Sequence, residues 1–181
     1  MNEKQIFNKT WLKWAMILGI ATFATTALVI MLDMMSEWTV TMGIALLVNI
    51  GILVLAYKEY KASNNGFMKY GRGVGMAALI GLIGGLVGGA LLAFYIGIIN
   101  PGVVEDIKKV QIESALEVNE KWGLGQDEDA MIQDIEERTT VSGMAIQYLW
   151  TSPLGGVFFM TLFGLIVAAI MKQNPPEDTM V

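Results

Sequence analysis

The chain contains no cysteine and no histidine. The first absence excludes disulfides, thiol nucleophiles and thiolate metal sites. The second removes the commonest general base near neutral pH and the commonest neutral metal ligand. Charge is scarce as well: 16% of the 181 residues are Asp, Glu, Lys or Arg, against roughly 25% in a soluble domain. A formal net charge of −5 leaves no basic face for nucleic acid. Nucleophile-elbow, phosphate-loop and dinucleotide patterns find no footing, because the glycines fall within an apolar run. No cofactor is expected. What is present instead is apolar bulk: 54% hydrophobic residues, 20 Gly and 13 Met, with a mean hydropathy of +0.53.

Four stretches carry no charge at all: Trp14–Met31, Met42–Tyr57, Val74–Ile99 and Pro153–Met171. A helix crosses a bilayer core with about 20 apolar residues, and about 17–25 are observed. The second stretch reaches that length once Val40 and Thr41 extend it to 40–57. The third would run to about 39 Å as a helix, so it must tilt or protrude. Isolated strands would leave backbone groups unpaired in lipid, so helix is the expected state. The sequence predicts an all-α integral membrane protein with four transmembrane helices at 14–31, 40–57, 74–99 and 153–171, and the lipid bilayer as its first partner. The lysines and apolar run at the N-terminus resemble a signal peptide. The run is too long for one, and Leu32-Asp33-Met34-Met35 offers no small-residue cleavage site, so an uncleaved span is expected.

Charge sets the expected orientation. Eight of the 12 basic residues lie in 1–13, in the loop before the third span, and in the tail 172–181. The segment 100–152 holds 11 acidic and 4 basic residues, a net of −7. Basic residues concentrate on the cytoplasmic side, so both termini are expected there and the acidic segment outside, in a bacterial inner membrane. Trp11, Trp14, Tyr57, Tyr70, Tyr95, Tyr148 and Trp150 lie near span ends and read as headgroup-level anchors.

Within the third span Gly73, Ala77, Gly81, Gly85, Gly89, Ala93 and Gly97 recur every four residues, with Gly84 and Gly88 in a neighbouring row. Small residues at this spacing share a helix face and admit a close backbone partner. Packing against the other spans of the same chain is the first expectation. A self-association face or a glycine-zipper pore is the alternative. Asn49, in the middle of the second span, is expected to hydrogen-bond across to another helix. The spans hold no carboxylate or basic residue of the kind ion-coupled transporters place in a bundle.

The outer segment reads as an amphipathic helical hairpin. Residues 103–122 gather Val103, Ile107, Val110 and Val118 on one face and Glu113, Glu117 and Glu120 on the other. Gly123-Leu124-Gly125 breaks the helix, and 127–138 forms a shorter one with acids at its start. Ser152-Pro153 is expected to cap the last span. The acids from Asp127 to Glu137 lack the alternation and central Gly of a calcium loop, so no metal site is expected. No cleft is evident for Asp127 and Glu137 as paired catalytic carboxylates. The terminal Thr179-Met180-Val181 is similar to a peptide ligand of carboxylate-capturing domains, at a length that chance supplies.

Asn65-Gly66-Phe67-Met68-Lys69-Tyr70-Gly71 leads into the glycine-rich span. Tyr95, Asn100-Pro101-Gly102-Val103-Val104-Glu105, an acidic helical stretch and a closing apolar helix ending at Lys172 follow. This order resembles the bacterial membrane-protein family called domain of unknown function 4199, over almost the whole chain. The resemblance implies four spans with one longer polar loop, and it implies no activity. The leading functional expectation is a non-enzymatic accessory or organising subunit acting through helix–helix and hairpin association. Its partner would be a second copy or another membrane protein. The alternative is a homo-oligomeric pore framed by the third span. A carrier for a neutral solute and an intramembrane enzyme rank behind both.

Overall fold

The computed structural model describes residues 2–123 and 125–175. The terminal tripeptide at 179–181 and Leu124 lie outside the described residues. The fold is all-helical, with α1 at Glu3–Met31, α2 at Trp38–Ser63, α3 at Tyr70–Phe94, α4 at Val103–Trp122, α5 at Glu128–Arg138 and α6 at Val141–Met171. A π-helical turn, Tyr95–Ile99, closes α3. Four of these segments, with α3 and its π-turn counted together, are long and apolar enough to cross a membrane.

Each boundary has a local cause. Asn2 caps α1 in a reciprocal pair with Gln5: its Oδ1 accepts from the Gln5 N–H at 2.9 Å, and Gln5 Oε1 accepts from the Asn2 N–H at 3.1 Å. The helix therefore starts well before the charge-free stretch at Trp14. Asn65 and Gly66 take left-handed φ values of 52° and 84° and end α2. Gly123, at φ 57°, ends α4. Asp127 caps α5 by accepting from the Asp129 and Ala130 N–H groups.

Helix α6 departs from the sequence expectation. It does not begin at Ser152-Pro153. Thr140 caps it, accepting from the Gly143 N–H at 3.1 Å, and the helix runs for 31 residues with Pro153 inside it. Proline removes one helical donor, which in a membrane helix is tolerated where neighbours pack closely around the site. Here Pro153 is buried against Gly85 of α3.

The four long helices alternate in direction, so one end of the bundle gathers the lysine-rich segments and the other the acidic segment. Helix α3 lies between α6 and α1, packing most extensively on α6 and next on α1, while α2 leans on α1 and less on α6. The larger core cluster reaches the lysine-rich end and includes Ile6, Leu53, Tyr57, Tyr60, Met76, Ile80, Met160 and Ala168. A second cluster at the acidic end joins Ile96, Val103, Val104, Ile107 and Met144. The first two turns of α4 thus dock on the bundle itself. The outward belt is apolar, with Ile20, Leu28, Leu47, Leu154, Phe158 and Ile170 exposed, a surface suited to hydrocarbon rather than water.

Candidate functional site

The small-residue row of α3 forms a seam with α6. A Cβ built at Gly73 would sit 2.7 Å from the Ala168 Cβ, and one at Gly81 would sit 2.8 Å from the Met160 Cβ and meet the Gly156 backbone. At Gly85 it would come within 2.7 Å of the Pro153 Cα, and at Gly89 within 2.9 Å of the Ser152 Cβ. Between these rungs Ala77 is fully buried and faces Gly164. The second row points to α1: Gly84 meets Leu18 and the Ala15 carbonyl, and Gly88 meets Gly19. Both rows are therefore spent within one chain. The row ends where the helix changes pitch. A Cβ at Gly97 would find open space, because the π-turn carries an extra residue per turn and rotates the row off the seam. Ala93, half-buried, is its last member before that turn.

Asn49 does not reach another helix. Its Nδ2 donates to the Ala45 carbonyl of its own helix at 2.6 Å, because α2 diverges from the bundle along its first half. Of α2, only Ile52, Leu53, Ala56, Tyr57 and Tyr60 are buried. The divergence leaves an apolar groove of about 340 Å³, lined by Thr22, Asn49, Gly85, Gly89, Ser152 and Phe159 among others.

The aromatic residues divide. Tyr57 is not a headgroup anchor: it is fully buried, and its hydroxyl donates to the Gly73 carbonyl at 2.7 Å. Trp11 is half-buried beside the main core, and the Trp14 Nε1 donates to Glu59 Oε2 at 2.9 Å. Tyr95 accepts from Asn100 Nδ2 through its hydroxyl and meets Phe23 edge-on. Tyr148 packs against the second cluster. Tyr70 is exposed, as are Trp38, Trp122 and Trp150, each about 70% accessible.

Two ends of the molecule remain chemically distinctive. At the lysine-rich end Arg72 pairs with Glu3 at 3.2 Å and lies over the Phe7 ring. Lys13 pairs with Glu59 at 2.7 Å, and Lys61 donates to the Met171 carbonyl. At the acidic end α4 and α5 form an arm. Asn119 clamps its turn by donating to the Gln126 carbonyl and accepting from the Gln126 N–H, both at 3.1 Å. Thr139 donates to Gln111 Oε1 and ties the base of the arm. No residue of α5 is buried, and Val118 and Trp122 stay exposed near the end of α4. The Asn119 clamp and the Glu59 contacts escape sequence reading, since nothing marks those positions except a lone acid among lysines at Glu59.

A family model described as a protein of unknown function (DUF4199) matches residues 13–173. No curated protein and no solved structure matches the chain. The match takes in all four candidate spans, apart from the first ten residues of α1, together with the arm between the third and fourth, and the chain belongs to that family of unknown function.

Proposed function

We propose that the protein is a non-enzymatic association subunit of the bacterial inner membrane, with both termini in the cytoplasm and the α4–α5 arm outside. The observation that carries this reading is the arm: it is anchored at its base by Val103, Val104 and Ile107, and its far end leaves Val118 and Trp122 uncovered. Its net charge of −7 across 100–152 selects a partner with a basic surface near the membrane. Both small-residue rows of α3 are occupied within one chain, so self-association through that helix is not the reading adopted.

Crosslinking in native membranes tests it. A partner at fixed stoichiometry should map to the arm, dissociate as salt rises, and be lost on Trp122→Ala combined with Val118→Ala. Those side chains are exposed, so folding is preserved while a hot-spot ring is removed. Retention of the partner by the double variant, or crosslinks confined to copies of this chain, would sink the proposal.

A further inference from the structure

At the lysine-rich end a cavity of about 290 Å³ opens between α1 and α2, lined by Ile6, Lys9, Thr10, Glu59 and Ser63. Its depth follows from the sequence. The charge-free stretches begin at Trp14 on α1 and end at Tyr57 on α2, so at ~1.5 Å per residue the lining lies about 3–12 Å outside the apolar core. That is the headgroup layer. The cavity carries one charge of each sign. Glu59 turns Oε2 to both Lys13 and Trp14, and among the described residues Oε1 accepts no hydrogen bond. Ser63 is the last residue of α2, where free carbonyls and the helix dipole favour a cation. Lys9, on the opposite wall, supplies an exposed ammonium. The Thr10 hydroxyl already donates to the Ile6 carbonyl at 2.8 Å and offers only its lone pairs.

We propose that this cavity binds the phosphoethanolamine headgroup of an aminophospholipid, with the phosphate at Lys9 and the ammonium at Glu59 and the end of α2. The ligand must hold an anion and a cation with N–H donors on a short linker, and it must be present at the membrane surface. A purely anionic headgroup brings no cationic N–H donor and leaves Glu59 Oε1 without a partner. A quaternary ammonium carries no N–H to donate to Oε1. Liquid water occupies about 30 Å³ per molecule, so the cavity holds roughly ten non-hydrogen atoms of that size, and phosphoethanolamine has fewer. The proposal stands apart from the arm and does not depend on it.

The test uses the full chain, delipidated in detergent and titrated with phosphatidylethanolamine, phosphatidylcholine or phosphatidylglycerol of matched acyl chains, with retention read by native mass spectrometry. Phosphatidylethanolamine should be retained about tenfold more strongly than either, the scale of one charge-assisted hydrogen bond. Lys9→Gln should weaken retention of phosphatidylethanolamine and phosphatidylcholine alike, Glu59→Gln should bring the two lipids together, and Lys69→Gln at the same end should leave both retention and preference intact. Equal retention of the two zwitterionic lipids by the unaltered protein overturns the proposal without any variant. So does a preference for phosphatidylglycerol, unchanged retention of phosphatidylethanolamine in Lys9→Gln, an unchanged ratio in Glu59→Gln, or equally tight binding of chain-free phosphoethanolamine, which would assign the cavity to a soluble ligand.

Discussion

Substituting alanine at Gly81 adds a single carbon at the tightest part of the α3–α6 seam. That carbon would lie 2.8 Å from the Met160 Cβ and 2.7 Å from the Gly156 carbonyl carbon, with the Gly156 oxygen closer still. Carbon pairs are comfortable at about 3.5–4.0 Å, so the helices must part by roughly 1 Å. Two of the opposing atoms are backbone, and no rotamer change can relieve them. Helix α6 must shift as a rod, and the contacts of Gly85 with Ser152 and Pro153 and of Gly89 with Ser152 open with it. A gap of that size forfeits about a quarter to a half of each contact, and overpacking of this kind costs about 1–3 kcal/mol. Gly75, also in α3, is the control. A Cβ there meets nothing within 4 Å, and replacing a helical glycine by alanine gains up to about 1 kcal/mol. Unfolding in mixed micelles by titration with a denaturing detergent, followed by circular dichroism, should move the two variants in opposite directions. Gly156→Ala added to Gly81→Ala should cost less than it does alone, since one displacement accommodates both carbons. If Gly81→Ala is as stable as the unaltered protein, the seam is not close-packed and the reasoning fails.

Two further outcomes follow from particular contacts. Asn119→Ala removes both side-chain hydrogen bonds to the exposed Gln126 backbone, at about 0.5–1.5 kcal/mol each, confined to the arm; limited proteolysis should then cut within 123–127 while the bundle keeps its melting behaviour, and unchanged protease resistance would refute the clamp. The natural chain has no cysteine, so Glu128→Cys and Lys4→Cys can each be labelled alone with a membrane-impermeant maleimide in intact cells. Glu128→Cys should react and Lys4→Cys should not, and the reverse pattern would invert the proposed orientation.

Much of this architecture was legible because its causes are local. Absence of charge over about 20 residues is a sufficient signal for a span, and the seam glycines stand at a spacing that only a helix turns into a face. The start of α6 departs from its sequence signal for a local reason too. The charge-free run extends upstream from Pro153 to Thr139, and Thr140 offers a cap of the same kind as Ser152, but proline reads as a beginning unless a neighbouring glycine is known to accommodate it. The Gly97 misfit depends on a π-turn, which leaves no mark in residue spacing. For Tyr57 and Asn49 the sequence signals depth alone. Whether a ring at that depth meets lipid or the Gly73 carbonyl, and whether an amide finds a neighbouring helix, depends on how far α2 leans, a property of the whole bundle.

That lean divides the protein mechanically. Helix α3 is joined to α6 by glycine contacts from Gly73 to Gly89 and to the middle of α1 through Gly19, Gly84 and Gly88, so a bilayer that thins or thickens meets these three as the stiffer part of the bundle. The buried residues of helix α2 all lie within Ile52–Tyr60, and its first half has few protein contacts to lose by tilting. Mismatch with the surrounding hydrocarbon is relieved where the restoring force is weakest. A mismatch in thickness is therefore relieved most cheaply by tilting the unburied half of α2, beside the groove at Asn49.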